Sequence, residues 1–117
     1  MKVIIEVARR GSAVRTAREQ LAAARQGRAV DYRLGFESAR ALFAEFTPAR
    51  LDLLDTLRQV GPCSVYALAK AAERNYSNVH TDVSRLEELG LIERNDQGAI
   101  SVPYDAVEIR LPLAQVA

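Results

Sequence analysis

The spacing of apolar residues changes several times along the chain, and each change marks a predicted element. Residues 2–7 place most of their apolar side chains on alternate positions, which predicts a short strand. Over residues 12–27 the apolar positions recur every three or four residues and a glycine follows, which predicts a helix. Residues 30–37 alternate strictly between apolar and other residues, which predicts a second, half-buried strand.

Four more helices are predicted in the middle of the chain, each beginning at a residue type that favours the N-cap: Ser38, Thr47, Ser64 and Asn75. The predicted helices cover residues 38–46, 48–60, 64–72 and 75–89. Helical spacing predicts that they bury Leu42, Phe43 and Phe46, then Leu51, Leu53, Leu54 and Leu57, then Val65, Leu68, Ala69 and Ala72, and finally Val79, Val83, Leu86 and Leu89.

A β-hairpin and a last strand are predicted after these helices. Residues 91–94 and 99–102 are strand-like, and the Asn-Asp-Gln-Gly sequence between them is typical of a turn. Two short helices followed by such a hairpin, or wing, predict a winged arrangement. Residues 107–113 alternate again, and Pro112 favours a position at the edge of a sheet.

Composition excludes several classes of function. Hydrophobic residues make up 49% of the chain and charged residues 26%, as in ordinary globular proteins. No apolar run approaches the roughly 20 residues that cross a bilayer, so we expect a cytoplasmic protein with no membrane contact. The single cysteine, Cys63, and single histidine, His80, give no metal site, and no phosphate-binding loop or catalytic cluster is evident. We therefore expect neither a cofactor nor an enzyme.

Charge divides the chain into two parts. Residues 1–46 carry nine basic and five acidic residues, whereas residues 47–117 carry seven basic and ten acidic residues. We interpret residues 1–46 as a basic strand-helix-strand-helix extension that dimerises, and residues 47–117 as a second domain that includes the last strand. The alanine-rich stripe of the first helix suits either a partner subunit or packing on its own domain.

The order of elements over residues 48–102 resembles the winged helix-turn-helix of MarR-like transcriptional regulators. The similarity extends to small predicted DNA-binding proteins, some of them antitoxins encoded beside a toxin, that share a motif with this chain. The motif reads Y-x-N-V-H-x-D-V-x-x-L-E-x-L-G-L-I over residues 76–92, with V-P-Y-D at residues 102–105. The resemblance implies an α+β fold and an autorepressing, DNA-binding antitoxin.

The predicted contacts to double-stranded DNA lie near the start and on the polar face of the helix at residues 75–89 and on the wing. Such a helix fits the major groove, where amide and guanidinium groups can read base edges. The candidate DNA-binding residues are Asn75, Tyr76, Ser77, Asn78, His80, Thr81, Ser84, Arg85 and Arg94.

The acidic balance of residues 47–117 opposes DNA binding by a single copy. Phosphate neutralisation supplies much of the affinity for DNA, so we expect a homodimer whose two helices share the task, with Arg15, Arg18, Arg25 and Arg28 approaching the backbone. An alternative function remains open: a protein-binding module whose acidic surface neutralises a basic toxin without significant DNA binding.

Overall fold

A computed structural model of the chain describes residues 1–7 and 31–113. The helix predicted over residues 12–27 and its arginines lie outside the described residues. The elements are β1 (Lys2–Val7), β2 (Tyr32–Phe36), α1 (Ala39–Glu45), α2 (Pro48–Val60), α3 (Val65–Ala71), α4 (Tyr76–Glu88), β3 (Glu93–Arg94), β4 (Ile100–Ser101) and β5 (Ala106–Arg110).

The chain forms two units, Met1–Glu45 with Ala106–Ala117, and Phe46–Asp105. The sequence interpretation assigned the last strand to the same domain as the winged helices. The structure differs here, because β5 pairs with β1 and so belongs to the first unit. Its alternation of apolar residues matches that of β1, which lies beside it.

The first unit is built on a three-stranded parallel sheet in the order β2-β1-β5. Val3, Ile4 and Ile5 of the central strand are at most 1% exposed, so both faces of β1 are covered. Helix α1 contacts β1 and β2 and buries Leu42.

The prediction that Phe43 is buried was wrong, since its side chain is 46% exposed. One position along a helix turns the side chain by about 100°, away from the face of Leu42.

The second unit confirms the predicted α+β winged helix-turn-helix. Helices α2, α3 and α4 follow one another, and the antiparallel hairpin of β3 and β4 forms the wing. Leu51, Ala72 and Leu89, which were predicted to be buried, are only partly covered. The buried apolar side chains of this unit are Phe46, Leu53, Leu54, Leu57, Val65, Leu68, Ala69, Val79, Val83, Leu86, Leu91, Ile92, Ile100, Val102 and Tyr104.

All four predicted N-caps are present. In each case a side-chain oxygen accepts a hydrogen bond from the backbone N–H three residues later, which satisfies a donor that the helix leaves unpaired. The caps are Ser38 to Ala41 at 3.1 Å, Thr47 to Arg50 at 3.2 Å, Ser64 to Ala67 at 3.0 Å and Asn75 to Asn78 at 3.3 Å.

The wing is attached to the helices by contacts that the sequence did not reveal. The backbones of Cys63 and Ile100 exchange two hydrogen bonds, of 3.1 and 2.8 Å, which adds a bridge to the hairpin. The segment after the hairpin is also tied down: the carbonyl of Val102 accepts from Arg58 at 3.0 Å, and the hydroxyl of Tyr104 donates to the carbonyl of Gly90 at 3.1 Å. Residues 102–105, the V-P-Y-D motif, therefore hold the segment that follows the wing against α2 and the end of α4.

Helices α3 and α4 end in the same way but with different residues at the left-handed position. After α3, the N–H groups of Glu73 and Arg74 return to carbonyls of the last turn, at 3.2 and 3.0 Å, and Glu73 has a φ of 55°. After α4, Gly90 occupies the equivalent position with a φ of 84°. Glycine adopts this conformation without the steric cost that a Cβ brings, so Glu73 strains the turn between the two helices.

Replacing Glu73 with glycine is expected to stabilise the protein by roughly 0.5–1 kcal/mol, because the relief of left-handed strain exceeds the added flexibility of the unfolded chain. Urea denaturation of Glu73→Gly and wild-type protein measures the difference. Glu73→Ala is the matched control, since it removes the same carboxylate but keeps the Cβ. Equal stabilisation by both substitutions would mean that charge, and not backbone conformation, is responsible.

Candidate nucleic-acid interface

Helix α4 has two opposite faces. Val79, Val83 and Leu86 are fully buried, and α4 packs against α3 of the same unit. The predicted DNA-binding residues lie on the other side or at the helix start. Asn75, Tyr76, Ser77, Asn78, His80 and Thr81 are exposed, and Ser84 and Arg85 are partly exposed; Arg94 is exposed on β3.

The exposed residues at the start of α4 differ in what they already bind. The carboxamide oxygen of Asn75 accepts the capping hydrogen bond, and the hydroxyl of Thr81 donates to the carbonyl of Ser77 at 3.1 Å. The rings of Tyr76 and His80 lie 5.9 Å apart. Within residues 1–7 and 31–113, the side chain of Asn78 makes no hydrogen bond. Asn78 therefore presents both its donor and its acceptor to solvent.

Both predicted arginines form ion pairs with acidic residues of α4. Arg85 donates to Glu88 at 2.9 Å, and Arg94 donates to Glu87 at 2.6 and 3.3 Å. The hydrogen bond that Arg94 donates to Glu87 raises the pKa of Arg94 further above its usual value. The second pair joins the wing to α4, so it holds the two predicted DNA-contacting elements in one orientation. Contacts of Arg85 or Arg94 with a phosphate would compete with these ion pairs.

Asp82 has a role that sequence analysis missed. Its side chain is only 14% exposed and lies between two arginines. Arg50 of α2 donates to one carboxylate oxygen at 3.0 Å, and Arg74 from the turn before α4 donates to the other at 2.8 Å. Burial alone would raise the pKa of Asp82, but these hydrogen bonds outweigh it and lower the pKa.

The spacing of residues contained a signal for this role. Asp82 is three residues after Val79 and four before Leu86, so helical geometry places it at the border of the buried stripe. Its partners Arg50 and Arg74 are distant in sequence, and no periodicity connects them. Only the packed structure identifies the bridge.

Other kinds of site are not apparent in the described part of the chain. Residues 1–7 and 31–113 contain no group of three or more His, Cys, Asp or Glu side chains placed to hold a metal ion. Burial raises the pKa of the Cys63 thiol. None of the helices that the structure describes has the length and apolar character of a membrane span.

Comparison with known proteins identifies the family. Residues 45–109, more than half of the chain, match the family model named HVO_A0114. The chain belongs to the HVO_A0114 family. The match covers the whole winged helix-turn-helix together with most of β5, so it includes every candidate DNA-binding residue. None of the curated proteins matches the sequence.

The chain is also similar to a solved structure. This is the solution NMR structure of the homodimeric winged helix-turn-helix DNA-binding domain of Mb0332 from Mycobacterium bovis, a possible ArsR-family transcriptional regulator. The two chains are 22% identical, with a TM-score of 0.47 over 81% of this chain and 71% of the other.

Replacing Asp82 with asparagine is expected to destabilise the protein by roughly 1.5–3 kcal/mol at neutral pH, because two partly buried guanidinium groups lose their shared anion. The lowered pKa gives the effect a pH dependence. The contribution of Asp82 is fully present above its unfolded pKa, about 3.9, and is lost as the pH falls through the lower folded value. Urea denaturation of both proteins from pH 7 downward measures it.

Asp52→Asn provides the matched control, since Asp52 is an exposed carboxylate on α2. This substitution is expected to change stability by less than about 0.5 kcal/mol. Equal effects of Asp82→Asn and Asp52→Asn at neutral pH would show that the bridge adds nothing to stability.

Proposed function

We propose that this protein is a sequence-specific regulator that binds double-stranded DNA, with α4 as its recognition helix. The observation that carries the proposal is the division of α4 into a fully buried apolar face and an exposed face of side chains able to hydrogen-bond. Because the buried face anchors the helix in the core, the exposed face is held rigid, as a surface that reads base edges requires.

Asn78 is the residue best placed to read sequence. A carboxamide can donate to and accept from one adenine in the major groove, and the donor and acceptor of Asn78 are both available. Asn75, Ser77 and Thr81 lie at the same end of α4 and already use a side-chain oxygen or a carbonyl locally. They suit contacts with the phosphate backbone, which position a protein without specifying sequence.

The ion pairs of α4 lessen the electrostatic objection to DNA binding. Asp82, Glu87 and Glu88 each bind an arginine, so α4 does not present three uncompensated carboxylates to DNA. Contacts of Arg85 and Arg94 with phosphate nevertheless compete with their ion pairs to Glu88 and Glu87, which reduces the gain from each contact. Weak binding by one copy follows, and a homodimer with two α4 helices compensates by doubling the contacts.

The more specific role that we propose is that of a MarR-like autorepressor that acts as the antitoxin of a toxin-antitoxin pair. It is supported by the shared motif over residues 76–92 and by V-P-Y-D at residues 102–105, found in similar predicted antitoxins.

A second candidate is toxin neutralisation without DNA binding. Glu93 and Asp96 of the wing favour it, because both are exposed acids with no ion-pair partner among residues 1–7 and 31–113.

A mobility-shift titration on the DNA upstream of the protein's own gene, repeated over a series of salt concentrations, separates the two candidates. Binding that weakens as salt increases, with preference for the upstream DNA over unrelated DNA, is the expected result for a regulator. No shift at low salt, together with stable co-purification of the product of a neighbouring gene, is the result expected of a neutralising module alone.

Replacing Asn78 with alanine is expected to weaken specific DNA binding by about 1–3 kcal/mol while leaving the melting temperature nearly unchanged. Gln59→Ala removes an exposed carboxamide from α2 and is the matched control for binding. Leu86→Ala should instead lower the free energy of unfolding by about 2–5 kcal/mol, since Leu86 is fully buried. Fluorescence anisotropy with labelled duplex and thermal denaturation measure the two quantities.

If Asn78→Ala binds as tightly as the wild type, the recognition role of this face of α4 is wrong. If Asn78→Ala and Leu86→Ala lower stability equally, the assignment of the two helix faces is wrong.

A further inference from the structure

Strand β5 forms an edge of the sheet. Among the described residues it pairs with β1 alone, so the backbone groups along its other side have no strand partner. Such an edge is a template for pairing with a strand of another chain unless charges, bulges or a covering element prevent it.

The side chains of β5 continue an apolar surface that this chain leaves incompletely covered. The parallel register places Val107 beside Val3 and Ile109 beside Ile5, on one face of the sheet. Val3 and Ile5 are fully buried, whereas Val107 is 39% exposed and Leu111, the next residue with the same parity, is 42% exposed. The apolar side chains on this face are therefore buried in the central strand β1 and become exposed at the edge strand β5.

We propose that β5 pairs antiparallel with β5 of a second copy, centred on Ile109, and joins the two sheets into one. A closed dimer has a two-fold axis, and identical strands related by such an axis are antiparallel. The proposal deepens the proposed function, on whose homodimer it rests, by naming the surface that forms it.

The charged residues of β5 are complementary in this antiparallel pairing. With Ile109 opposite the partner's Ile109, Glu108 lies opposite the partner's Arg110, and Arg110 lies opposite the partner's Glu108. Opposite charges at facing positions stabilise a strand pair, whereas like charges destabilise it. Among the described residues of the single chain, Arg110 forms an ion pair with the neighbouring Glu108 alone, at 2.6 Å, and both side chains are more than a third exposed. Glu108 and Arg110 of one chain can therefore bind Arg110 and Glu108 of the second copy instead of each other.

The apolar residues are self-complementary in the same register. Val107 lies opposite the partner's Leu111, so pairing brings together two exposed apolar side chains of the same face and covers both. The other edge strand, β2, lacks this property. The equivalent pairing centred on Leu34 would place Arg33 opposite Gly35, and Arg33 already binds Glu6 at 3.3 Å.

Sedimentation equilibrium of the full chain without DNA tests the proposal. The wild type is expected to have twice the 12.9 kDa mass of one chain. Arg110→Glu places two carboxylates opposite each other at both ends of the pair and should raise the dimer dissociation constant at least about tenfold. Arg40→Glu, at an exposed position of α1, is the matched control and should leave the dimer unchanged.

A charge exchange identifies the register. Glu108→Arg and Arg110→Glu should each be largely monomeric alone, but an equimolar mixture should form a heterodimer, because every facing pair is then one acid and one base. Glu108→Arg also removes a 2.9 Å ion pair with Lys2, so circular dichroism must first show that it folds. Where it does not, Val107→Lys supplies the second test and is expected to be monomeric.

Three outcomes would overturn the proposal: a monomeric wild type, an Arg110→Glu protein that dimerises as tightly as the wild type, or folded exchange variants that remain monomeric when mixed. Since no DNA is present, these results are independent of the recognition role of α4. Loss of that role would appear as unchanged DNA binding by Asn78→Ala in a protein that still dimerises.

Discussion

The carboxylate of Asp82 connects three parts of the second unit, and the presentation of α4 depends on it. Its two oxygens accept from Arg50 of α2 and from Arg74 of the turn before α4, while Val79 and Leu86 bury the adjacent stripe. Apolar burial alone determines which face of a helix points inward but resists small rotations weakly. Two directional, charge-assisted hydrogen bonds at the border of the stripe add an angular constraint, so the outward face of α4 has one orientation.

Acidic residues are paired with arginines at the wing as well. Glu87 binds Arg94, which positions the hairpin against α4, and Glu88 binds Arg85. An arginine that already forms an ion pair gains less free energy from binding a phosphate than an unpaired arginine does, because the two anions compete for it. For the DNA-binding regulator that we propose, this arrangement would lower sequence-independent affinity more than base recognition by the uncharged Asn78. Such a protein would gain selectivity and would need two copies for affinity.

Local signals in the sequence were sufficient for the four helices that the structure describes. All four N-caps and the bounds of α2 follow from side chains that act within one turn, and the exposed face of α4 follows from helical periodicity. Long-range contacts were not predictable in this way. The bridge at Asp82, the pairing of Cys63 with Ile100 and the place of β5 beside β1 each join residues far apart in the chain. Phe43 was misplaced because a seven-residue helix buries only one side.

Amide chemical-shift mapping measures whether α4 is the recognition helix. The ¹⁵N-labelled protein would be titrated with a duplex from the DNA upstream of its gene and, in parallel, with an unrelated duplex of equal length. We expect the largest shifts specific to the upstream duplex to fall on residues 75–85, with smaller ones at the wing around Arg94. Shifts that are absent from α4, or identical for the two duplexes, would contradict a recognition role for this helix.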